Sequence, residues 1–223
     1  MSIMIPHYPH LARRQLLPGR ALASLGIALA SLLLAVACLA AAGAQSGARE
    51  GAREGARESH LERNVKAAFL YKFLGYVDFP EAATPAIGEP FIIGVLGGDG
   101  VANEVADEVA DELRRISAGR GMNGRPVEVR KLRQGEAPGR LHLLFVAADD
   151  DADVDRALAA LRHAPVLTVT QTPGPARADS VINFRVVDER VRFEVSLEAA
   201  DKANLKLSSR LLAVACKVQR ASH

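Results

Sequence analysis

Tryptophan is absent from this chain, and aromatic residues make up only 4% of its 223 positions. What aromatic surface exists is concentrated: Phe69, Tyr71, Phe73, Tyr76 and Phe79 all fall between positions 69 and 79. A large excess of either charge is missing too. Residues 1–44 hold three of the 28 basic residues and none of the 26 acidic ones, so the remainder carries 25 against 26. A net charge of −1 argues against the clustered basic excess of a nucleic-acid-binding protein. Cysteine is scarce, with only Cys38 and Cys216. If Cys38 leaves with a leader, no internal disulfide is available, and Cys216 pairs between chains or is simply buried. In its apolar surroundings, LLAVACKV, burial is the expectation, because free cysteine is among the most buried residue types.

Several catalytic signatures are also missing. Gly97-Gly98-Asp99-Gly100 lacks the Lys-Ser/Thr of a phosphate loop and the spacing of a dinucleotide fingerprint, so it reads as a tight turn with Asp99 capping the next helix. The acidic run Asp149, Asp150, Asp151, Asp153 and Asp155 lacks the glycine and terminal Glu of a calcium loop. It reads as a solvated turn that favours the positive start of a helix. His142 has no second His, Cys or carboxylate at metal-ligand spacing and reads as a hydrogen-bonded structural residue. No metal site or cofactor is expected. No Ser-His-Asp set or nucleophile-base pair is visible, although such sets assemble from residues remote in sequence, so an enzyme stays a third reading.

What is present begins with a leader. Arginines occupy residues 1–20, residues 21–42 carry no charge, and Ala42-Gly43-Ala44 closes the run. This is the pattern of a secretory signal cleaved between Ala44 and Gln45. The apolar run also suffices for an uncleaved anchor, and Leu34 to Cys38 resembles a lipoprotein box, which leaves lipidation of Cys38 open. Residues 47–58 then repeat Gly-Ala-Arg-Glu three times. Each unit is neutral and forms no apolar face, so residues 45–63 read as a flexible tether.

A domain is expected over residues 64–218. Asn64 reads as a helix cap. Ala67, Leu70, Phe73 or Leu74, and Val77 recur at helical spacing, and Gly75 and Pro80 end the helix. Strands follow at Phe91–Leu96, Pro126–Leu132, Leu141–Ala147 and Val166–Thr170, with helices after the first (Val101 to Ile116) and third (Val154 to Arg162). Val181–Val186 and Val191–Val195 flank Val187-Asp188-Glu189-Arg190 as a hairpin. Glu198–Lys202 and a last helix, capped by Ser208 or Ser209 and carrying Leu211, Leu212, Ala215 and Val218, close the chain. The order predicts an α/β single domain with a mixed, roughly six-stranded sheet and helices on both faces.

The motifs VKAAFLYKFLGYVDFP, FIIGVLG, LHLLFVA, PVLTVT, INF and VRFEVSLEAADKANLKLSSRLLAVA resemble the YfiR-like family of bacterial periplasmic proteins over residues 64–218. Phe79 matches the aromatic that precedes the helix-ending proline. Ser196 stands where Asn is usual after the Phe-Glu pair. Leu141, beside His142, stands where many members have cysteine, and with it goes the redox-sensitive disulfide of some members. The resemblance implies a periplasmic regulator without enzymatic activity. It would bind the periplasmic part of an inner-membrane diguanylate cyclase, or another membrane sensor, and so lower cyclic-di-GMP signalling, with a homodimer expected. Tyr71 and Tyr76 are the candidate partner-binding residues, since tyrosine joins an apolar body to a polar tip. They equally suit the rim of the core. The alternative function is a periplasmic small-molecule sensor that uses the crevice near Gly97–Gly100 at the carboxyl ends of the strands.

Overall fold

The structure, a computed structural model, describes residues 55, 57–148, 150–173 and 177–220. The proposed cleavage site at Ala44 and Gln45, Cys38 and the repeats through residue 54 lie outside them. No helix among the described residues is long and apolar enough to cross a membrane.

The first helix, α1, covers residues 57–73 and tightens into a 3-10 turn at Leu74–Tyr76. It therefore starts ahead of the cap expected at Asn64. Asn64 sits within the helix, where its side-chain amide bonds the His60 ring one turn earlier at 3.0 Å. The predicted stripe is the buried one: Ala67, Leu70, Phe73, Leu74 and Val77 are all at most 6% exposed.

The sheet has seven strands, one more than expected. They are β2 (Phe91–Leu96), β3 (Val127–Leu132), β4 (Leu143–Val146), β5 (Leu167–Thr170), β6 (Ile182–Val187), β7 (Arg190–Ser196) and β9 (Lys217–Gln219). Their order is β3-β2-β4-β5-β6-β7-β9. All neighbours run parallel except β6 and β7. The parallel strands β2, β4 and β5 are buried at every position, as continuous apolar runs require when both faces are covered. The β6–β7 turn is two residues long, and Asp188 and Glu189 both have positive φ, which matches the twist of a tight hairpin.

The crossover helix α2 (Val101–Ser117) and α1 share the larger core cluster, while α3 (Asp151–Ala160) packs on the smaller one. Asp150 caps α3 by accepting from the Ala152 and Asp153 amides, and Asp151 and Asp155 pair with Arg177. From Asp150 on, the acidic run is thus a helix start with ion pairs; Asp149 lies outside the described residues. Asp99 does not cap α2. Gly100, at φ 56°, holds that position and no side chain bonds the helix start. The glycine-rich turn already bends by glycine's freedom, and a carboxylate has no role there.

Ser196 caps α4 (Leu197–Lys202) by accepting from the Ala199 amide, the role an asparagine would also fill. Ser208 caps α5 (Ser209–Val214). That helix is shorter than expected: Ala215 lies past its end, and Val218 is in β9. A two-stranded ribbon unseen in the sequence pairs β1 (Val77–Asp78) with β8 (Lys206–Leu207) and pins the end of α1 beside α5.

Candidate functional site

The aromatic stretch positions a groove. Phe73 is 1% exposed and meets Phe69 at 5.8 Å, Phe184 at 5.9 Å and Phe193 at 5.1 Å between ring centroids. Offset and edge-on contacts of this kind add about 0.5–1.5 kcal/mol per pair beyond area burial. α1 is thereby fixed on the β6–β7 hairpin. On β7, Val191 and Phe193 share one face because side chains alternate along a strand. On α5, Arg210 and Val214 share one face at i, i+4, as Lys72 and Tyr76 do across the end of α1.

These three elements enclose a groove of about 430 Å³ lined by Phe69, Phe73, Tyr76, Val191, Phe193 and Val214, among others. Its floor is closely packed, with Phe73 and Phe193 at most 2% exposed. Its lip is exposed: Tyr76 is 39% and Val214 63% accessible. Lys72 and Arg210 flank it, and neither forms an ion pair or hydrogen bond among the described residues. An apolar trough with free cations beside it suits a partner that brings apolar side chains and acidic groups.

The two predicted tyrosines are not brought together. Tyr76 opens into the groove. Tyr71 is half-buried against the core, and its hydroxyl donates to the Gly121 carbonyl at 3.2 Å. Lys72, Val191, Arg210 and Val214 were not singled out by the sequence reading. The i, i+4 spacings and the β7 alternation carried the signal, but nothing in sequence says that these elements meet.

A second concavity, about 1120 Å³, lies at the carboxyl ends of β2 and β3 and is lined by Gly97 to Gly100, Asn103 and Lys131 to Glu136. Several of its polar groups are engaged within the fold, while the Asp99 and Arg133 side chains have no partner among the described residues. The Gln134 amide donates to the Gly97 carbonyl at 3.3 Å, and Lys131 pairs with Asp107. A Cβ on Gly97 would lie 3.0 Å from Ala106 Cβ and Asn103 Cα, so this glycine lets α2 approach the sheet.

His142 lies just before β4, not inside a strand. Its Nδ1 accepts from the Ile92 amide at 2.9 Å, and its own amide donates to the Ile92 carbonyl at 2.9 Å. The ring thus completes the β2–β4 ladder where the backbone has no acceptor to offer. Phe79 and Phe91 pack edge-on to it. Burial, with the nearby Arg140 charge adding to it, holds the ring below the usual imidazole range, while the Ala83 backbone and Glu89 pull weakly the other way. Nε2 has no hydrogen-bond partner among the described residues. Cys216 is exposed, contrary to the expected burial, because the chain has left α5 before reaching it. Its thiol donates to the Phe193 carbonyl at 3.1 Å. Among the described residues no three His, Cys, Asp or Glu side chains converge on a metal position.

Residues 63–216 match the sequence profile described as YfiR/HmsC-like. A search of curated proteins finds no match.

Proposed function

The chain belongs to the YfiR/HmsC-like family, and from that premise we propose that it is a non-enzymatic periplasmic regulator. Through the α1–hairpin groove it docks on the periplasmic part of an inner-membrane diguanylate cyclase and holds cyclic-di-GMP output down. Residues 1–44 deliver it, cleavage falls between Ala44 and Gln45, and residues 45–63 link the leader to the domain. The observation that carries the reading is the groove itself: an accessible Tyr76 and Val214 over a closed aromatic floor, with Lys72 and Arg210 beside it and without a partner among the described residues. Burying a few such side chains in a fitted pocket is how small patches come to dominate an interface. Tyr71, with its hydroxyl on Gly121, contributes at most a rim contact.

The test is binding of the purified chain to the periplasmic part of a membrane diguanylate cyclase, with Tyr76→Ala and Val214→Asp as separate variants. Each is expected to weaken binding about tenfold or more, the scale of an interface hot spot. Tyr71→Ala should change it far less. Unchanged affinity in both groove variants removes the groove from the site.

The second reading, a small-molecule sensor, draws on the crevice at the carboxyl ends of β2 and β3, the position where open α/β sheets bind ligands. A thermal shift with a metabolite panel supports it if Gly97→Val abolishes the response.

A further inference from the structure

Among the described residues, His142 Nε2 is the one buried side-chain polar atom without a hydrogen-bond partner, and the residue is 1% exposed. Nδ1 accepts from the Ile92 amide, so it carries no proton and the neutral ring holds its proton on Nε2. Phe79 and Phe91 close on the ring with centroids 5.8 and 5.1 Å away and planes nearly perpendicular to it. Two charges act on it: Arg140, just before it in the chain, and Glu89, from the loop before β2, which pair with each other at 3.3 Å. Phe91 and Ile92 of β2, Phe79, and Leu167 of β5, whose amide donates to the His142 carbonyl, bring no ionisable group. Glu81, in the turn after Phe79, is exposed.

A second proton does not fit this site. The imidazolium donates at both nitrogens, so Nδ1–H would face the Ile92 N–H, donor against donor. The ladder bond is lost, and the cation is left desolvated between two aromatic rings. What the ring supports lies on the other side of Phe79. The Thr84 hydroxyl donates to the Phe79 and Pro80 carbonyls, which folds residues 79–84 into one turn that rests on the ring through Phe79. Just before Phe79, β1 is only two residues long, and such a ribbon does not stand alone. It follows Tyr76, whose carbonyl accepts from the Ser208 amide at 2.9 Å, and Ser208 caps α5. Tyr76 and Val214, the exposed lip of the groove, are therefore joined by a ribbon whose far end is anchored by Phe79.

We propose that His142 is an acid-sensitive latch: protonation of its ring breaks the bond to Ile92, frees Phe79 and its turn, and loosens the β1–β8 ribbon that sets the lip of the groove. The bearing on partner binding rests on the groove reading; the latch itself does not. The sign follows from the two states of the ring. Burial and Arg140 hold the closed ring below the usual imidazole range, whereas an opened ring titrates near the usual value of about 6.5. The closed latch is therefore at full strength above about pH 6.5. Below it, each further unit of pH multiplies the open fraction about tenfold, for as long as the closed ring stays neutral.

Amide hydrogen exchange and ring-proton NMR on the full chain, between about pH 7.5 and about pH 5, test this without a partner. After correction for the intrinsic pH dependence of exchange, protection of the Ile92 and Ser208 amides should fall together, about tenfold or more, in the wild-type chain. The Ala147 amide, bonded to the Leu96 carbonyl at the far end of the same β2–β4 ladder, should keep its protection. His142→Asn places a non-titrating Oδ1 where Nδ1 stands, so its Ile92 protection should stay nearly constant. In the wild-type spectrum the His142 resonance, identified by its loss in that variant, should titrate below those of exposed histidines. Constant Ile92 protection in the wild type overturns the latch, as does an equal fall at Ala147 or in His142→Asn. A fall at Ile92 without one at Ser208 overturns the link to the groove lip. The wild-type exchange decides the latch by itself if the variant folds poorly, and loss of the groove as a docking site would leave every one of these readouts intact.

Discussion

The groove between α1 and the hairpin and the crevice at the carboxyl ends of β2 and β3 are both concave, yet they differ in how far their polar groups are engaged. In the crevice, Gln134 bonds Gly97 and Lys131 pairs with Asp107, so the walls are tied to each other. In the groove, three phenylalanine rings close the floor, while Lys72 and Arg210 have no partner among the described residues and Tyr76 lies open. A polar group already bonded within the fold offers a ligand little, because a new contact only replaces an old one. Volume alone would favour the crevice. The state of its hydrogen bonds favours the groove.

The largest effect that would sharpen this contrast comes from the floor. Phe73→Ala should cost about 3–5 kcal/mol, the range for deleting a buried phenylalanine, because Phe73 touches three other rings. Denaturant unfolding measures it. A loss under about 1 kcal/mol would mean that the floor is not core and that the groove can collapse. A smaller effect is expected in the crevice. Gly97→Ala forces a Cβ to 3.0 Å from the α2 backbone, and overpacking of this kind costs about 1–3 kcal/mol. Part of that is offset by about 0.4–1 kcal/mol from the lost freedom of glycine in the unfolded chain. The net result should be a modest destabilisation, and a gain in stability would show a crevice loose enough to admit a ligand. The smallest effect belongs to Asp99→Ala. With no cap bond to lose, stability should stay within about 0.5 kcal/mol, whereas a true cap would cost about 1 kcal/mol.

Much of this fold could be read directly from residue order. The buried stripe of α1 and its closing turn followed from the spacing of Ala67, Leu70, Phe73 and Leu74, while Val77, read as its continuation, is buried in β1. β2, β4 and β5 followed from unbroken apolar runs, and the hairpin from the two runs that flank Val187-Asp188-Glu189-Arg190, although the turn itself is only Asp188 and Glu189. These signals are local, and local periodicity is what a sequence displays. The failures have the opposite character. Asn64 had the chemistry of a cap, but charged and polar residues upstream continue the helix through it, and intrinsic preference is a weak prior against tertiary context. Asp99 lost its place to a glycine whose backbone reached the geometry first. β1, β8 and β9 are two or three residues long and have no periodicity to detect. Cys216 and Val218 continue an apolar pattern that the chain abandons at Ala215. The groove was half legible: the aromatic cluster marked one wall, while the walls from β7 and α5 depend on packing between elements more than a hundred positions apart.

The thiol of Cys216 has a practical consequence. It is the one cysteine in the described domain, it is solvent-accessible, and it is bonded to Phe193, a residue of the groove floor. A small environment-sensitive dye coupled there would sit beside β7, one wall of the trough, without any engineered attachment point. Its emission would report occupancy as a titration curve, so candidate partners could be ranked in solution before any complex is crystallised.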